Sequence, residues 1–473
     1  MGTWKPLKHQ PGFKAGTMLL LTDGTVMCQD SGSPRWHKLT PHNNGSYIQG
    51  TWSALAPGPN APLYFASAVL DNGRVFVAGG EYEDGEVWDL LAAQVYNPGS
   101  NFWSIASLPE GWTNLGDAPS CMLPDGRLLV GSIGSNKTAI YDSGNNKWTP
   151  AADKKNSSSN EETWTLLPDE TILSVNCREH PGAQKYIIAA DEWIEIDPTP
   201  SDLVEDSSIE IGPAVLLPDG RVFATGATGH TALYQMPPIG SQKGSWVSGP
   251  DFPPQPGHPT LGAKDAPACL LPNGKVLCIA GPIDGIGDHY LGPMYFFEFH
   301  PATAKFTHIA GPPANPAHIA PFEARLLPLP SGDVLFANGT GKMSVYEPGG
   351  SPDAAWLPTI TAIEDLSGNA VSNLAANGEY KLFGRQLNGL SQAASYGDDV
   401  QMATNYPLVR IQNNASKHVA YCRTKGHSSM GVATGTIVQN TEFLVPAGIA
   451  HGASELRVVA NGIASHHVAV TIT

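Results

Sequence analysis

Apolar and polar positions along the chain form one short motif that recurs seven times. Each copy is a leucine, a polar turn and an apolar residue, with apolar runs on both sides. The copies are LTDGTV (21–26), LDNGRV (70–75), LPDGRL (123–128), LPDETI (167–172), LPDGRV (217–222), LPNGKV (271–276) and LPSGDV (329–334). Six copies carry Asp-Gly, Asn-Gly or Ser-Gly at the tip, which is typical of a tight β-hairpin. The fourth has Glu170 instead of glycine, and we predict a different turn there.

The spacing of the hairpins predicts the architecture of most of the chain. Successive tips are 49, 53, 44, 50, 54 and 58 residues apart, which is in the range of a kelch-type propeller blade. A tyrosine followed by a tryptophan, as in Tyr96 and Trp103, marks several outer strand pairs. We therefore predict an all-β fold in which residues 1–356 form a seven-bladed β-propeller. Trp4 lies in an outer-strand pattern before the first hairpin. A strand there is suited to close the ring by pairing with the last blade.

The period stops after Trp356, and a different strand pattern follows. Residues 357–473 contain short β-patterned runs over roughly a hundred residues, which predict an immunoglobulin-like β-sandwich as a C-terminal domain. Composition agrees with an all-β protein, since 51 glycines and 41 prolines accompany only 15 % charged residues.

Charge and hydropathy exclude several classes of partner. The formal net charge is −16, which argues against nucleic acid and anionic membranes. No apolar run approaches the ~18 residues that a membrane span requires. The start, Met-Gly-Thr-Trp, is not an export leader, so we expect export only if a leader has been removed.

The six cysteines do not form the spacing pattern of a disulfide framework or a zinc site. Cys269 and Cys278 flank the sixth turn, so we expect them to lie opposite each other on paired strands. Buried free thiols are favoured there over a cross-strand disulfide.

Candidate chemistry lies where the blades approach the propeller axis. Counting nine residues back from each turn tip selects one position per blade near the entrance of the central channel. These positions are Ala15, Tyr64, Asp117, Glu161, Ile211, Asp265 and Glu323. Four of the seven are carboxylates, and Glu210 stands one step from the fifth, so a small shift in register adds another.

A ring of inward carboxylates requires a compensating feature, because like charges at close range raise each other's pKa. A bound cation, retained protons or a wide, water-filled ring would each suffice. Hard oxygen ligands suit Ca²⁺, Mg²⁺ or Mn²⁺, and an added imidazole widens the choice to Mn²⁺, Fe²⁺ or Zn²⁺. We favour a metal or substrate site over a solvated lining paired with Lys14, Lys264 or Arg325.

Nearly the whole chain resembles the galactose oxidase and glyoxal oxidase group, which joins a seven-bladed kelch propeller to a C-terminal immunoglobulin-like domain. The most specific part is the stretch around Tyr396–Gly431, SYGDDVQMATNYPLVRI…YCRTKGHSSMGVATG. In that group a C-terminal loop brings a histidine up the axis to copper. The matching loop here is Lys425-Gly426-His427-Ser428-Ser429, so the resemblance implies that His427 lies at the channel centre. The group's habit also implies a secreted or periplasmic protein.

The other copper-site positions depart from the group's pattern. Tyr64 aligns with its cross-linked cysteine, Asp117 with its radical tyrosine, Phe322-Glu323 with its Tyr-His pair and Tyr82 with its stacking tryptophan. We therefore expect no cross-linked Tyr-Cys copper cofactor. The set that replaces it offers metal ligands or acid–base groups: His427, Asp117, Glu323, Asp265 and Glu161, with Glu323, Asp117, Glu161 and Tyr64 as catalytic candidates.

These residues predict a divalent-metal-assisted enzyme rather than a copper-radical oxidase. We expect a hydrolase, lyase or isomerase that uses Ca, Mn, Fe or Zn on a small polar substrate such as a sugar or sugar acid. Tyr64 and Tyr82 would form an aromatic wall for that substrate. One alternative is a carbohydrate- or protein-binding propeller with a structural cation, and another is a non-radical metal oxidoreductase. We expect a monomer.

Three loop histidines and one acidic loop are weaker candidates. His180, His230 and His289 follow inner hairpins, where surface positions are favoured over ligand roles. Asp284 and Asp288 lie in a Gly-rich acidic loop with a loose likeness to a calcium loop.

Overall fold

A computed structural model of the chain describes residues 2–83, 86–87, 90–205, 207–238, 240–283, 291–396 and 402–473. The weak calcium-loop candidates Asp284 and Asp288, and also His289, lie outside these residues. The first strand, β1 (Thr3–Pro6), precedes a series of four-stranded antiparallel sheets.

The first four blades follow one another along the chain. Blade 1 comprises β2 (Ala15–Leu20), β3 (Val26–Asp30), β4 (Trp36–Thr40) and β5 (Thr51–Ala54). Blade 2 comprises β7 (Ala66–Val69), β8 (Val75–Ala78), β11 (Ala93–Asn97) and β12 (Phe102–Ile105). A separate small sheet beside it comprises β6 (Pro62–Leu63), β9 (Tyr82–Glu83) and β10 (Glu86–Val87). Blade 3 comprises β13 (Ser120–Met122), β14 (Leu128–Ser132), β15 (Ser135–Asp142) and β16 (Lys147–Pro150). Blade 4 comprises β17 (Trp164–Leu166), β18 (Thr171–Val175), β19 (Ala183–Ile187) and β20 (Glu192–Ile196), with a 3₁₀ turn at Ile188–Ala190.

Three further blades complete the ring. Blade 5 comprises β21 (Ala214–Leu216), β22 (Val222–Thr225), β23 (Thr231–Gln235) and β24 (Ser245–Ser248). Blade 6 comprises β26 (Pro267–Leu270), β27 (Val276–Pro282), β28 (Tyr295–His300) and β29 (Lys305–Ile309), and the short β25 (Leu261–Gly262) pairs with β27. Blade 7 comprises β30 (Arg325–Pro328), β31 (Val334–Ala337) and β32 (Ser344–Glu347), with 3₁₀ turns at Pro321–Glu323 and Ala354–Trp356 on either side. The described residues thus form the predicted seven-bladed propeller.

The N-terminal strand closes the ring, as Trp4 predicted. β1 pairs antiparallel with β32 as the fourth strand of blade 7, with Trp4 opposite Tyr346. The Trp4 ring packs against Phe296, Phe336 and Tyr346. The two ends of the propeller sequence are therefore held in one sheet.

The seven inner hairpins share one turn geometry, including the fourth. In each the leucine amide and carbonyl bond across the turn, and the tip residue has a positive φ. Glu170 has φ 58°, its amide donates to the Leu167 carbonyl at 3.1 Å, and the Leu167 amide donates to the Thr171 carbonyl at 2.8 Å. Our prediction of a different turn at Glu170 was wrong, because the backbone accepts the left-handed conformation even with a side chain.

A separate sheet begins after blade 7. The described residues beyond it form one nine-stranded sheet with β33 (Thr359–Asp365), β34 (Asn373–Leu374), β35 (Glu379–Arg385), β37 (Leu408–Asn413), β38 (Val419–Lys425), β39 (Val438–Leu444), β40 (Gly452–Ala460), β41 (Ile463–Ala464) and β42 (Val468–Ile472). β38 pairs with β37 through residues 419–422 and with β39 through residues 423–425. Because β38 changes its partner along its length, the sheet folds over its own apolar core. This arrangement is consistent with a β-sandwich. The domain boundary at residue 357 stays a prediction.

One C-terminal strand lies among the propeller blades. β36 (Ala394–Tyr396) pairs antiparallel with β26, the inner strand of blade 6, with Ser395 opposite Ala268. The Gln392 side chain accepts a hydrogen bond from the Leu166 amide of blade 4 at 2.9 Å. Residues 391–396 therefore run along the inner strands, inside the channel.

The six cysteines lie within the described residues, are buried and form no disulfide. Cys269 pairs with Leu277, and Cys278 pairs with Ala268. The two thiols are thus one residue out of register, and the expectation that they lie opposite each other was wrong.

Candidate functional site at the channel mouth

The inner strands define two ends of the propeller. The turns between inner and second strands lie at one end, which we call the turn face. The residues just before β7, β13, β17, β21, β26 and β30 lie at the other end, which we call the mouth. The positions counted nine back from each turn belong to the mouth, with the exception of Ala15, which is buried within β2.

Three mouth residues share an unusual backbone conformation. Tyr64, Glu161 and Asp265 occupy equivalent positions in blades 2, 4 and 6, with φ of 54°, 59° and 45°. Residues with a side chain lose roughly 1–2 kcal/mol in this left-handed region. Strain of this kind is most often retained where it directs a side chain to a functional site. The repeated positive φ indicates that the backbone conformation at the mouth sets the direction of these three side chains.

Three carboxylates from adjacent blades converge at the mouth. Glu161 of blade 4, Glu210 before blade 5 and Asp265 of blade 6 each offer one oxygen, and these oxygens all lie within 4.8 Å of one another. All three side chains are partly exposed. Among the residues that the structure describes, no other three His, Cys, Asp or Glu side chains meet in this way. We call Glu161, Glu210 and Asp265 the acidic trio.

Glu210 replaces the expected Ile211 because the loop before blade 5 shifts the register. The Glu205 amide donates to the Glu210 carbonyl at 2.9 Å, and the Ile209 amide donates to the Glu205 carbonyl at 2.7 Å. Ile209 takes up the tight turn with φ 66°. Ile211 is buried in the core instead, and its carbonyl accepts from the Asp265 amide at 3.1 Å. The carboxylate predicted one step away is therefore the one that joins the trio.

Two neighbouring charges are already engaged. Lys264 Nζ lies 3.3 Å from Glu205 Oε2, and the Glu205 carboxylate also accepts from Ser207 and Ser208. Burial alone would raise the pKa of Glu205, but these hydrogen bonds and the Lys264 charge lower it to about 2. Glu205 and Lys264 therefore form an ion pair. It joins the loop that carries Glu210 to the segment that carries Asp265.

Glu161 is held from both sides along the chain. Asn160 Nδ2 donates to Glu161 Oε1 at 3.1 Å, and Arg178 Nη2 donates to Asn160 Oδ1 at 3.1 Å. The next residue, Glu162, forms a fully buried ion pair with Lys154 at 2.5 Å. Burial lowers the pKa of Lys154, and the Glu162 charge opposes that shift. This buried pair anchors the segment that carries the strained Glu161.

The opposite side of the mouth is aromatic and cationic. Tyr64 and Tyr82 pack edge to face with ring centroids 6.1 Å apart, and Phe322 lies 6.4 Å from Tyr64. The guanidinium of Arg325 lies 5.9 Å from the Tyr64 ring centroid and donates to the Phe322 and Ala324 carbonyls. The structure thus brings Tyr64 and Tyr82 together.

Asp117 and Glu323 lie at the mouth but outside the trio. Burial, followed by the Glu81, Asp117 and Glu161 carboxylates, raises the pKa of Tyr82 to about 12. Asp117 is itself buried, whereas Glu323 ends a 3₁₀ turn next to Phe322 and its carboxylate lies against Gly339. Asp117 therefore lies near Tyr82, and Glu323 lies on the blade 7 side.

The structure does not bring His427 to these residues. The Gly426 amide donates to the Asp71 carbonyl, and the Met430 amide donates to the Pro124 carbonyl, both at 2.8 Å. Asp71 and Pro124 belong to inner turns, so the His427 loop lies on the turn face, at the other end of the inner strands from Asp117. The expectation that His427 lies at the channel centre was wrong, because the segment that enters the channel contains β36.

His427 is a buried residue of the contact between the turn face and the C-terminal sheet. Its Nδ1 lies 2.9 Å from Thr441 Oγ1, and within the described part of the chain its Nε2 has no hydrogen-bond partner. Burial lowers the pKa of His427 to about 3. The imidazole is therefore neutral at pH 7 and serves packing at this position.

Comparisons with known proteins agree on the fold. No family model matches the chain. The Kelch-like protein terF of Aspergillus terreus (strain NIH 2624 / FGSC A1156) is 31 % identical over 144 residues, which are 29 % of this chain and 28 % of that relative. The chain thus matches little more than a quarter of the length of this curated relative.

No helix among the described residues has the length and apolar character needed to cross a bilayer.

A solved structure matches over the entire chain. It is a fungal alcohol oxidase of the AA5 family in complex with copper, with 14 % identity and a TM-score of 0.56 over 100 % of this chain and 99 % of that one. At this identity the likeness concerns the fold alone. The chain therefore has the fold of the kelch-type, galactose oxidase-like propellers, and it presents a carboxylate cluster suited to a metal ion.

Proposed function

We propose that the acidic trio binds a divalent cation and that the mouth is the active site of a metal-assisted enzyme without copper-radical chemistry. The observation that carries this proposal is the meeting of Glu161, Glu210 and Asp265 within 4.8 Å. Three carboxylates at this distance repel one another, because like charges at close range interact unfavourably. A divalent cation removes that repulsion.

The donor set favours a hard cation. Three carboxylate oxygens with room for water suit Ca²⁺, Mg²⁺ or Mn²⁺. Zn²⁺ and Fe²⁺ sites in proteins usually include imidazole or thiolate, and the trio includes neither. Among the expected metals, Ca²⁺ and Mn²⁺ are therefore the best candidates.

The same donor set does not fit a copper-radical centre. That centre requires imidazole ligands and a tyrosine linked to cysteine, and the aligned positions here hold Tyr64, Asp117 and Phe322-Glu323. His427, the one candidate imidazole of the resemblance, lies on the turn face. We therefore assign no oxidase chemistry to the mouth.

The residues around the trio suit a small polar substrate such as a sugar or sugar acid. A bound cation would polarise a carbonyl or lower the pKa of a bound water. Tyr64 and Tyr82 present ring faces and hydroxyls, which suit the apolar face and the hydroxyl groups of a sugar ring. In this proposal the carboxyl of Asp117, which is buried and whose charge acts on Tyr82, serves as a further acid–base group. Hydrolysis, elimination and isomerisation are the reactions that this set serves.

Metal binding can be measured before any substrate is known. Protein dialysed against a chelator is titrated with Ca²⁺ and Mn²⁺ by calorimetry. We expect stoichiometric binding, and Glu210→Gln should weaken it at least tenfold, or by about 1.4 kcal/mol, because a charged ligand is lost.

Glu323→Gln is the matched control, since Glu323 is a mouth carboxylate outside the trio. It should leave affinity within about twofold of wild type, or roughly 0.4 kcal/mol. Equal losses in both variants would move the ion to the blade 7 side. No binding at millimolar concentrations of either ion would overturn the proposal.

A further inference from the structure

A histidine–aspartate pair lies on loops at the mouth end of blades 4 and 5. His180 belongs to the loop between β18 and β19, and its Nδ1 lies 2.6 Å from Asp202 Oδ2. The His180 side chain is only 18 % exposed. The sequence favoured a surface position for this histidine, and the structure instead shows a largely enclosed ring fixed by a carboxylate.

The His180 loop is bonded to the segment that presents Glu161. Arg178, two residues before His180, donates to Asn160, and Asn160 donates to Glu161 Oε1. The Ser157 amide donates to Glu179 Oε1 at 3.2 Å. Arg178 and Glu179, the two residues before His180, are thus tied to the segment that leads into blade 4 and carries Glu161.

Asp202 is bonded into the loop that presents Glu210. Its Oδ1 accepts from the Val204 amide at 3.1 Å, and its carbonyl accepts from Thr228 Oγ1 at 2.7 Å. One residue after Val204, Glu205 pairs with Glu210 through the backbone. Each partner of the His180–Asp202 pair is therefore anchored to an element that supplies a carboxylate of the trio.

Such a pair has a defined chemical use. A carboxylate on Nδ1 fixes the tautomer and orientation of the ring and makes Nε2 the atom that exchanges a proton. Histidine is the side chain whose ordinary pKa permits this exchange near neutral pH.

We propose that His180, oriented by Asp202, is a catalytic acid–base residue for the substrate held at the acidic trio. This inference rests on the proposed function. His180 Nε2 accepts a proton from the attacking water, or from the substrate carbon in an elimination or isomerisation. The same proton is returned to the leaving oxygen, or to the product carbon, so no oxidant or reductant is consumed.

The chain provides a matched control for this pair. His230 Nδ1 lies 2.8 Å from Asp251 Oδ1 on the blade 5 loop, and the two side chains are 49 % and 66 % exposed. It is the same type of pair but much more exposed, and its loop is bonded to Asp202 and Leu203 through Thr228 and Ala227. We expect it to be independent of the cation at the trio.

The first test uses ¹⁵N-histidine-labelled full-length protein with Mn²⁺ as the probe. His180 signals are assigned with His180→Asn, and His230 signals with His230→Asn. Paramagnetic Mn²⁺ should broaden the His180 ring signals more than those of His230, and Glu210→Gln should abolish the difference. Mn²⁺ binding that leaves His180 unbroadened would overturn the inference while the proposed function stands. The absence of Mn²⁺ binding would overturn both.

The second test separates catalysis from structure. On a sugar or sugar acid that the wild type converts, His180→Asn should lower kcat by at least about a hundredfold, with Mn²⁺ affinity unchanged. Asp202→Asn should change the protonated ring nitrogen of His180, which ¹⁵N shifts report directly. Wild-type kcat in His180→Asn would overturn the assignment, as would an unchanged tautomer in Asp202→Asn.

Discussion

Glu170 adopts at one turn tip the left-handed conformation that glycine adopts at the other six. Its φ of 58° lies near the 74–91° of the glycine tips, and its turn hydrogen bonds are the same. The side chain therefore adds backbone strain without changing the fold. The turn tip of blade 4 therefore bears a backbone strain that the six glycine tips avoid.

Glu170→Gly should raise the free energy of unfolding by about 1 kcal/mol, because the strain of a left-handed residue is removed. Urea unfolding with constant slope measures this change. The reverse substitution, Gly220→Glu in the matching turn of blade 5, should lower stability by a similar amount. Unchanged stability in both variants would show that these tips bear no strain.

The acidic trio shows what a residue count can and cannot predict. Glu161 and Asp265 were found by counting back from the turn tips, since equivalent blades place equivalent positions at the mouth. Glu210 was one step off the count, because the Glu205–Glu210 backbone pairing shifts that loop. This pairing depends on the left-handed backbone conformation of Ile209. An isoleucine in the sequence does not indicate that conformation.

At the scale of elements, β1 carries the closure of the ring. The Trp4 ring contacts three aromatic side chains of blades 6 and 7, and its Nε1 donates to the Ala310 carbonyl at 2.7 Å. By contrast, Lys5 forms a surface ion pair with Glu347 at 2.7 Å. The Trp4 side chain therefore adds an aromatic anchor to the backbone pairing that closes the ring.

Trp4→Ala should lower the free energy of unfolding by roughly 3 kcal/mol, since a large aromatic side chain is lost from the closure. Thermal unfolding followed by near-UV circular dichroism measures the loss. Lys5→Ala on the same strand should change stability by less than about 1 kcal/mol, because exposed ion pairs contribute little. Equal effects of the two substitutions would contradict a Trp4-anchored closure.

The sequence predicted the repeating elements and missed an isolated one. Seven hairpins repeat the same turn chemistry, so each supports the assignment of the others. β36 is three residues long, and its partner β26 lies more than a hundred residues earlier. No local pattern specifies such a pairing, and the family resemblance implied that His427 would be the axial residue instead.

At the scale of the molecule, His427 lies between the turn face and the C-terminal sheet. The folded protein keeps this imidazole neutral because burial lowers its pKa to about 3. In the unfolded chain the ordinary pKa of about 6.5 applies, so below that pH the unfolded state binds the proton that the folded state excludes. Stability is therefore lost as the pH falls from about 6.5 towards 3.

His427→Gln should remove this pH dependence. Between pH 6.5 and 4.5, the free energy of unfolding of wild type should fall relative to the variant by up to about 1.4 kcal/mol per pH unit. Urea unfolding at pH 7, 6, 5 and 4.5 measures the difference between the two proteins. Parallel profiles would mean that the imidazole is hydrated in the folded protein.

The C-terminal segment in the channel decides how molecules reach the mouth. β36 lies on blade 6, Gln392 bonds to blade 4, and the Tyr406 hydroxyl donates to the Leu20 carbonyl of blade 1. Ala393, Ala394 and Ser395 are buried between these blades. The described residues of this segment therefore occupy part of the axis between the turn face and the mouth. A substrate of the trio is expected to enter and leave from the mouth side, so a slowly departing product would delay the next substrate.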